Sequence, residues 1–257
     1  MTPAPALEIL TAASLRPVDH GFVTRKGGAS SGIFAGLNCR LGSSDMAEAV
    51  AINRGRVAEA MGSDLAHLVT VNQVHSADVV VVDAPFGAER PRADAMVSRT
   101  PGVVLGILTA DCQPVLFADH EAGVIGAAHA GWRGCFDGVL QNVVTAMEGL
   151  GASRARIRAV IGPCISQAAY EVSQEFLDRF LAEDQDFARF FANGARPGHY
   201  QFDLPGFGLH ALREAGVGEA EWIGRCTHGD AARFYSYRRT TQDGEADYGG
   251  LISTIRL

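Results

Sequence analysis

The chain reads as a single α/β domain, and three observations predict it. Three short apolar runs, Val103–Leu108, Val115–Ala118 and Val124–Ala128, each have strand length and are separated by polar or glycine breaks. Helical periodicity alternates with strand-like segments, at Asp45–Met61, at Gly134–Leu150 and from Pro205 to Ala215. No internal repeat, low-complexity tract or composition shift marks a linker within the 257 residues, a length that suits one large domain.

Taken in order, Met1–Arg16 reads as a loose lead-in ending in a short edge element, and His20–Thr24 as a strand. The strand runs into Arg25–Gly32, a basic loop of turn-forming residues. Asp45 is placed to cap the first helix, with Glu48 at capping-box spacing and Val50, Val57 and Met61 at helical intervals. Leu68–Gln73 and Asp78–Val82 read as strands flanking His75, Pro85–Ala93 as a loop, and Met96-Val97 as a short strand. A strand at Ile157–Ile161 stops at Gly162-Pro163, and Val172–Leu181 carries Val172, Phe176, Phe180 and Leu181 on one helical face. Asp184–Tyr200 is less regular, with a loop at Asn193–Gly198. Pro205 suits the first turn of the next helix. Short strands at Trp222-Ile223, Phe234–Tyr237 and Leu251–Ile255 complete the reading.

Composition narrows the function classes. The 47% hydrophobic and 20% charged content is that of an ordinary soluble globular protein. A formal charge of −7 and a pI near 5.6 argue against a broad nucleic-acid or anionic-membrane surface. Five scattered cysteines without CxxC spacing argue against a disulfide framework and for reduced thiols. The N-terminus lacks the pattern of a signal peptide, and no apolar segment approaches the roughly 20 residues of a membrane helix. A cytoplasmic protein is expected.

The breaks between the apolar runs carry the chemistry. Thr109-Ala110-Asp111-Cys112 ends the first, and His129-Ala130-Gly131-Trp132-Arg133-Gly134 ends the third. These strands are expected to lie side by side, and such strand ends are where open α/β sheets keep their sites. With His75, these breaks offer Cys112 and His129 as a three-ligand set for zinc, which accepts imidazole and thiolate and keeps a fourth position open in catalytic sites. The same residues also suit a thiolate–imidazole nucleophile pair, Cys112 with His129, oriented by Asp111. Plain burial of Cys112 and hydrogen-bonded histidines at strand ends form a third reading. Spacing alone leaves all three open. The loop Arg25–Gly32 offers backbone amides and a guanidinium to an anion such as phosphate, although on pattern alone a solvated hairpin turn fits better. Trp132 and Arg133 follow His129 so closely that one or both should face the same site.

Several of these motifs together resemble the YfiH family, known as laccase-domain or multicopper polyphenol oxidoreductase-labelled proteins. The resemblance rests on His20-Gly21-Phe22 with Thr24-Arg25 and Gly27-Gly28, then Leu37-Asn38, Gln73-Val74-His75, Ala110-Asp111-Cys112 and His129–Gly134, with Ile161–Ile165 and Phe234–Arg238 closing the series. It implies a layered sandwich of central mixed sheets covered by helices. It implies that His75, Cys112 and His129 ligate zinc, in a pocket for a purine nucleoside and phosphate. Arg25, Asn38, Gln73 and Arg133 are then the expected substrate contacts, and Asp111, Cys112 and His129 the catalytic set. The expected reaction is phosphorolysis of adenosine, inosine and S-methyl-5′-thioadenosine, with adenosine deamination in the same site through a metal-activated water.

Two other activities are attached to the family. A copper-dependent phenol oxidase needs several coppers held by His-x-His pairs, whereas this chain has eight histidines and no such pair. Editing of peptidoglycan precursors is the other.

Overall fold

The apolar runs sort onto two sheets that pack face to face. The computed structural model describes residues 6–87 and 89–257. One sheet has five strands in the order β1 (Ile9–Leu10), β2 (Asp19–Val23), β14 (Leu251–Arg256), β6 (Val104–Thr109) and β3 (Leu68–Val69). The second has six, in the order β13 (Glu219–Trp222), β9 (Arg158–Ile161), β7 (Gln113–Asp119), β8 (Val124–Ala130), β5 (Ala95–Ser98) and β4 (Val79–Val81). Both are mixed: β3–β6, β4–β5 and β13–β9 run parallel and the other pairs antiparallel. A small antiparallel sheet of β10 (Glu171–Ser173), β12 (His199–Phe202) and β11 (Phe191–Asn193) sits to one side.

The period of two in each strand distributes side chains between layers. Leu105 and Ile107 of β6 meet Leu116 of β7 and Ile125 of β8 in the core between the sheets. Val115 and Phe117 of β7 point the other way, onto α3 (Val139–Gly149), α4 (Gln174–Glu183) and α5 (Leu204–Glu214), where Phe180, Phe202 and Phe207 pack ring against ring. Val104 of β6 faces outward onto α1 (Ala47–Ala60) through Val57, Ala58 and Met61. Because both faces of each large sheet are covered, their strands read as continuous apolar runs. The expected α/β class and layered sandwich are what is found.

Several elements differ from expectation for identifiable reasons. The helix expected over Gly134–Leu150 is two, α2 (Trp132–Phe136) and α3, divided where Gly138 takes φ +93°. Asp45 does not cap α1. Its carboxylate accepts from Asn38 Nδ2 at 2.9 Å and from the Met46 N–H. Val172 lies in β10, and α4 begins two residues later. Phe234–Tyr237 forms no strand; its end opens the short helix α6 (Tyr237–Asp243), capped by Ser236, whose hydroxyl accepts the Arg239 N–H at 3.2 Å. Part of the expected lead-in, residues 1–5, lies outside the described residues.

The topology places two crossovers at one rim of the sandwich. The chain leaves the five-stranded sheet at β3 and enters the six-stranded sheet at β4, passing through His75. It makes the same passage from β6 to β7 through Ala110-Asp111-Cys112. The first two apolar runs therefore belong to different sheets, and only β7 and β8 lie side by side.

Candidate metal centre

His75, Cys112 and His129 converge at this rim, with their ligand atoms all within 4.8 Å of one another. Cys112 Sγ lies 3.9 Å from His75 Nε2, and the two imidazoles meet edge to face with centroids 4.7 Å apart. The ligand atoms of a tetrahedral zinc site are about 3.3–3.6 Å apart, given Zn–S near 2.3 Å and Zn–N near 2.0–2.1 Å. A small inward movement of side chains is all that ligation requires. The donor set, one thiolate and two imidazoles, fits zinc and leaves one position for water or substrate.

Two residues are held in unfavourable backbone conformations to achieve this. His75 has φ +61° and Asp111 φ +86°, the only non-glycine residues with positive φ among those described. Such strain costs about 1–3 kcal/mol per residue and persists only where the surroundings enforce it. At His75 the enforcing group is Asp94, at the start of β5 and fully buried. Its carboxylate accepts from the N–H groups of Val74, His75 and Ser76 at 3.0, 2.9 and 2.6 Å, and from Ser76 Oγ at 3.0 Å. It also lies 2.7 Å from His129 Nδ1. One carboxylate thus shapes the loop that carries one ligand and orients the ring of another, leaving His129 Nε2 to face the centre. Asp94 is absent from the sequence-based site. The signal for it is a lone carboxylate inside Ala93-Asp94-Ala95-Met96-Val97, where burial demands a polar partner.

Glycine at 131 is a steric requirement. A Cβ there would lie 2.9 Å from Cys112 Sγ and 3.1 Å from His75 Cδ2. Electrostatics complete the picture. Burial pushes the Cys112 thiol up, but the charge and hydrogen bond of His129 and the hydrogen bond of His75 outweigh it and hold the pKa at about 6. Burial pushes His129 down, and the Cys112 thiolate with the Asp94 carboxylate reverse this, raising it to about 9. Burial likewise opposes Asp94, whose hydrogen bonds from His129 and the loop amides bring it down to about 2. All three shifts act in one direction, favouring thiolate at Cys112, imidazolium at His129 and carboxylate at Asp94. Such a thiolate is ready to ligate.

The other expected site residues divide. Asp111 is at the rim, but its carboxylate faces the C-terminal segment, accepting from Thr227 Oγ1 at 2.5 Å, Ser236 Oγ at 2.9 Å and the Arg238 N–H at 2.7 Å. Gln73 lines the cavity beside the triad, with its amide clamped on the backbone of Leu108 at 2.7 and 2.9 Å. Arg25 is not at the cavity. Its guanidinium donates to the carbonyls of Ala35 and Ala231 and lies 4.2 Å from the Tyr235 ring centroid. Asn38 is fully buried and fully used: Nδ2 donates to Ser43 and Asp45, and Oδ1 accepts from the N–H groups of Arg40 and Gly250. Arg133 is exposed beside the ring of Trp132, and of these two only Trp132 lines the site. Arg25, Asn38 and Arg133 do not line the cleft, whereas Arg40, Arg90, Tyr170, Tyr237 and Tyr248, none of them in the expected site, do.

These residues line two chambers that share His75 and Cys112 in their walls. The larger, about 530 Å³, contains Arg40, Asn72, Arg90 and Tyr248. The smaller, about 230 Å³, contains Trp132, Ile165, Tyr170, Leu204 and Arg238. His75, Ala110, Cys112 and Tyr237 belong to both.

The fold and site define the class: a mixed two-sheet α/β sandwich with a Cys-His-His cluster at its rim whose donors could hold a metal ion. The sequence model of the family described as multi-copper polyphenol oxidoreductase laccase matches residues 19–257, and the chain belongs to that laccase-like, YfiH family. It is 44% identical to a purine nucleoside phosphorylase of Deinococcus radiodurans, over 92% of this chain and 89% of that one. It is 41% identical to the purine nucleoside phosphorylase ORF3 of Streptomyces griseus, over 87% and 89%. Among solved structures, the YfiH protein of Bacillus licheniformis superposes with a TM-score of 0.88 at 32% identity, covering 98% of this chain and 97% of that one. A Neisseria meningitidis protein, NMB0706, does so with a TM-score of 0.87 at 35% identity and 98% coverage of both. No helix among the described residues is long and apolar enough to cross a membrane.

Proposed function

We propose that this chain is a zinc-dependent purine nucleoside phosphorylase acting on adenosine, inosine and S-methyl-5′-thioadenosine, with adenosine deamination in the same site. The observation that carries the reading is the Cys112–His75–His129 triad set in the wall of a cleft that holds both arginines and aromatic rings. The names of the relatives support the coarser part of this reading, phosphorolysis of a purine nucleoside.

In this reading His75, Cys112 and His129 hold the metal, and Cys112 serves as ligand and not as attacking nucleophile. When bound, zinc supplies a fixed positive charge able to polarise a substrate atom. The rest is the work of the chain. Asp94 keeps His129 in the tautomer that presents Nε2. Asp111 acts as a positioning residue, since its hydrogen bonds hold the segment that delivers Tyr237 and Arg238 to the cleft. Arg90 supplies positive charge for phosphate, while Arg40 in the same space is paired with Asp247. General acid–base help contributes about 10²–10⁴-fold, so positioning of the two reactants must supply much of the rest.

Cys112→Ala tests the reading: bound zinc and phosphate-dependent release of hypoxanthine from inosine should fall together. Activity that survives loss of the metal would refute zinc dependence. Ammonia release from adenosine, measured with and without phosphate, separates deamination from phosphorolysis. The family description keeps copper in view. Dialysis against a chelator followed by separate return of zinc and copper decides it, and phenol oxidation restored by copper alone would overturn the assignment. Turnover of peptidoglycan precursors, set beside nucleoside turnover, tests the remaining family activity.

A further inference from the structure

The two chambers differ in chemistry as well as size. The smaller is walled by the indole of Trp132, the phenol of Tyr170, Ile165 and Leu204. Trp132 is fixed from behind by Phe176, with ring centroids 4.9 Å apart, so this wall continues the aromatic core. The chamber holds one cation, Arg238. Its guanidinium is drawn back, donating to the Glu171 carbonyl at 2.9 Å and lying 5.2 Å from the Tyr170 ring. Asp111 also lines the chamber, with its carboxylate taken up by Thr227, Ser236 and Arg238, while among the described residues the Tyr170 hydroxyl has no hydrogen-bond partner, which leaves a donor beside the aromatic wall.

The larger chamber is polar. Arg40 is neutralised there by Asp247 at 2.7 Å and rests on the Tyr248 ring at 4.0 Å. Arg90 lines the same space and makes no salt bridge among the described residues.

We propose that the chambers divide the reactants: the purine base occupies the aromatic chamber with Tyr170 donating to its edge, and phosphate occupies the larger chamber on Arg90. The sugar's C1′ then lies at the shared wall beside Cys112, His75 and Tyr237. This assignment rests on the phosphorolysis reading above. Displacement at a carbon needs the entering and leaving groups on opposite faces, and subsites on either side of one wall supply that arrangement. A hydrogenphosphate oxygen forms the bond to C1′ as the C1′–N9 bond breaks. The electron pair of that bond leaves with the base, which takes up a proton as hydrogenphosphate gives one up. A rigid aromatic slot suits a flat heterocycle and offers an anion little solvation. The uncompensated guanidinium suits an anion through charge-assisted hydrogen bonds.

The test uses zinc-loaded protein and reads binding apart from turnover. Trp132 and Trp222 are the only tryptophans, so Trp222→Phe leaves Trp132 as the single reporter and Trp132→Phe leaves Trp222. Hypoxanthine should quench fluorescence in Trp222→Phe and not in Trp132→Phe, and saturating inorganic phosphate should not displace it. Tyr170→Phe should weaken hypoxanthine binding about tenfold with the KM for phosphate unchanged. Arg90→Met should raise the KM for phosphate about tenfold or more with hypoxanthine binding unchanged. Competition between phosphate and hypoxanthine, quenching carried by Trp222, or effects of the two variants exchanged between the ligands would each overturn the division. Absence of inosine phosphorolysis in the wild-type protein would instead reject the reading beneath it. Purine quenching at Trp132 would in that case still place the base in the aromatic chamber.

Discussion

At the scale of the residue, Asp94 does more than any other single group to define the centre. It accepts four hydrogen bonds from the loop around His75 and holds His129, all without exposure to solvent. Outer-sphere partners of metal ligands typically matter about 10–100-fold in affinity, so Asp94→Asn should weaken zinc binding by that factor, as read by competition with a chromogenic chelator. The same group shapes acid stability. Its folded pKa of about 2 lies below the ordinary value of 3.8. Its stabilisation is therefore present above about pH 4 and lost as pH falls towards 2, and it amounts to about 2 kcal/mol. In chelated protein, urea denaturation across that range should show the wild-type advantage over Asp94→Asn shrinking to nothing at the acid end. Cys112 offers a second pH signature. Thiolate absorbance of the metal-stripped protein should appear on raising the pH through about 6, well below the 9.0 of an ordinary thiol. A midpoint near 9 would remove the argument for a preformed thiolate.

At the scale of the element, function is built by turns that carry the chain from one sheet to the other. The β6–β7 turn holds Cys112 towards the triad and Asp111 towards the C-terminal segment, and Asp111 ties that segment to the rim through Thr227, Ser236 and Arg238. Asp111→Ala should leave those buried donors unpaired, costing about 2–4 kcal/mol in chemical denaturation. It should also raise the KM for nucleoside through displacement of Tyr237 and Arg238. A variant with unchanged KM would remove the positioning role. The turn after β8 is constrained differently, by space. Gly131→Ala should lower zinc affinity by crowding Cys112 and His75, and metal analysis after gel filtration would read it.

At the scale of the whole molecule, the candidate metal ligands and the main aromatic core are carried by different elements, although Trp132 at the cleft wall touches both. Phe180 is fully buried among Phe176, Phe202 and Phe207, and Phe180→Ala should cost about 3–5 kcal/mol. The candidate ligands sit on the rim turns and on β8, and α4 supplies none of them, so zinc stoichiometry should be retained under conditions where the variant remains folded. Loss of zinc from folded Phe180→Ala would show that the core tunes the centre directly.

What the sequence determined by itself is the fold class and a set of candidate ligands. Apolar runs of strand length and helical periods reflect local backbone geometry and burial, which are written along the chain. Thiolate and imidazole are chemically distinctive enough to mark Cys112, His129 and His75 at the breaks. Tertiary structure alone decided what each polar side chain is for. Asn38 suits ribose on paper, yet it is consumed by Gly250, 212 positions away, and by its own loop. Arg25 closes two loops instead of a pocket, while Asp94, Arg90 and Tyr170 gain their places only when distant strands and helices meet. The physical reason is that a hydrogen-bonding group is defined by its partner. Local periodicity sets which way a side chain points, and only the packed fold sets what it meets there.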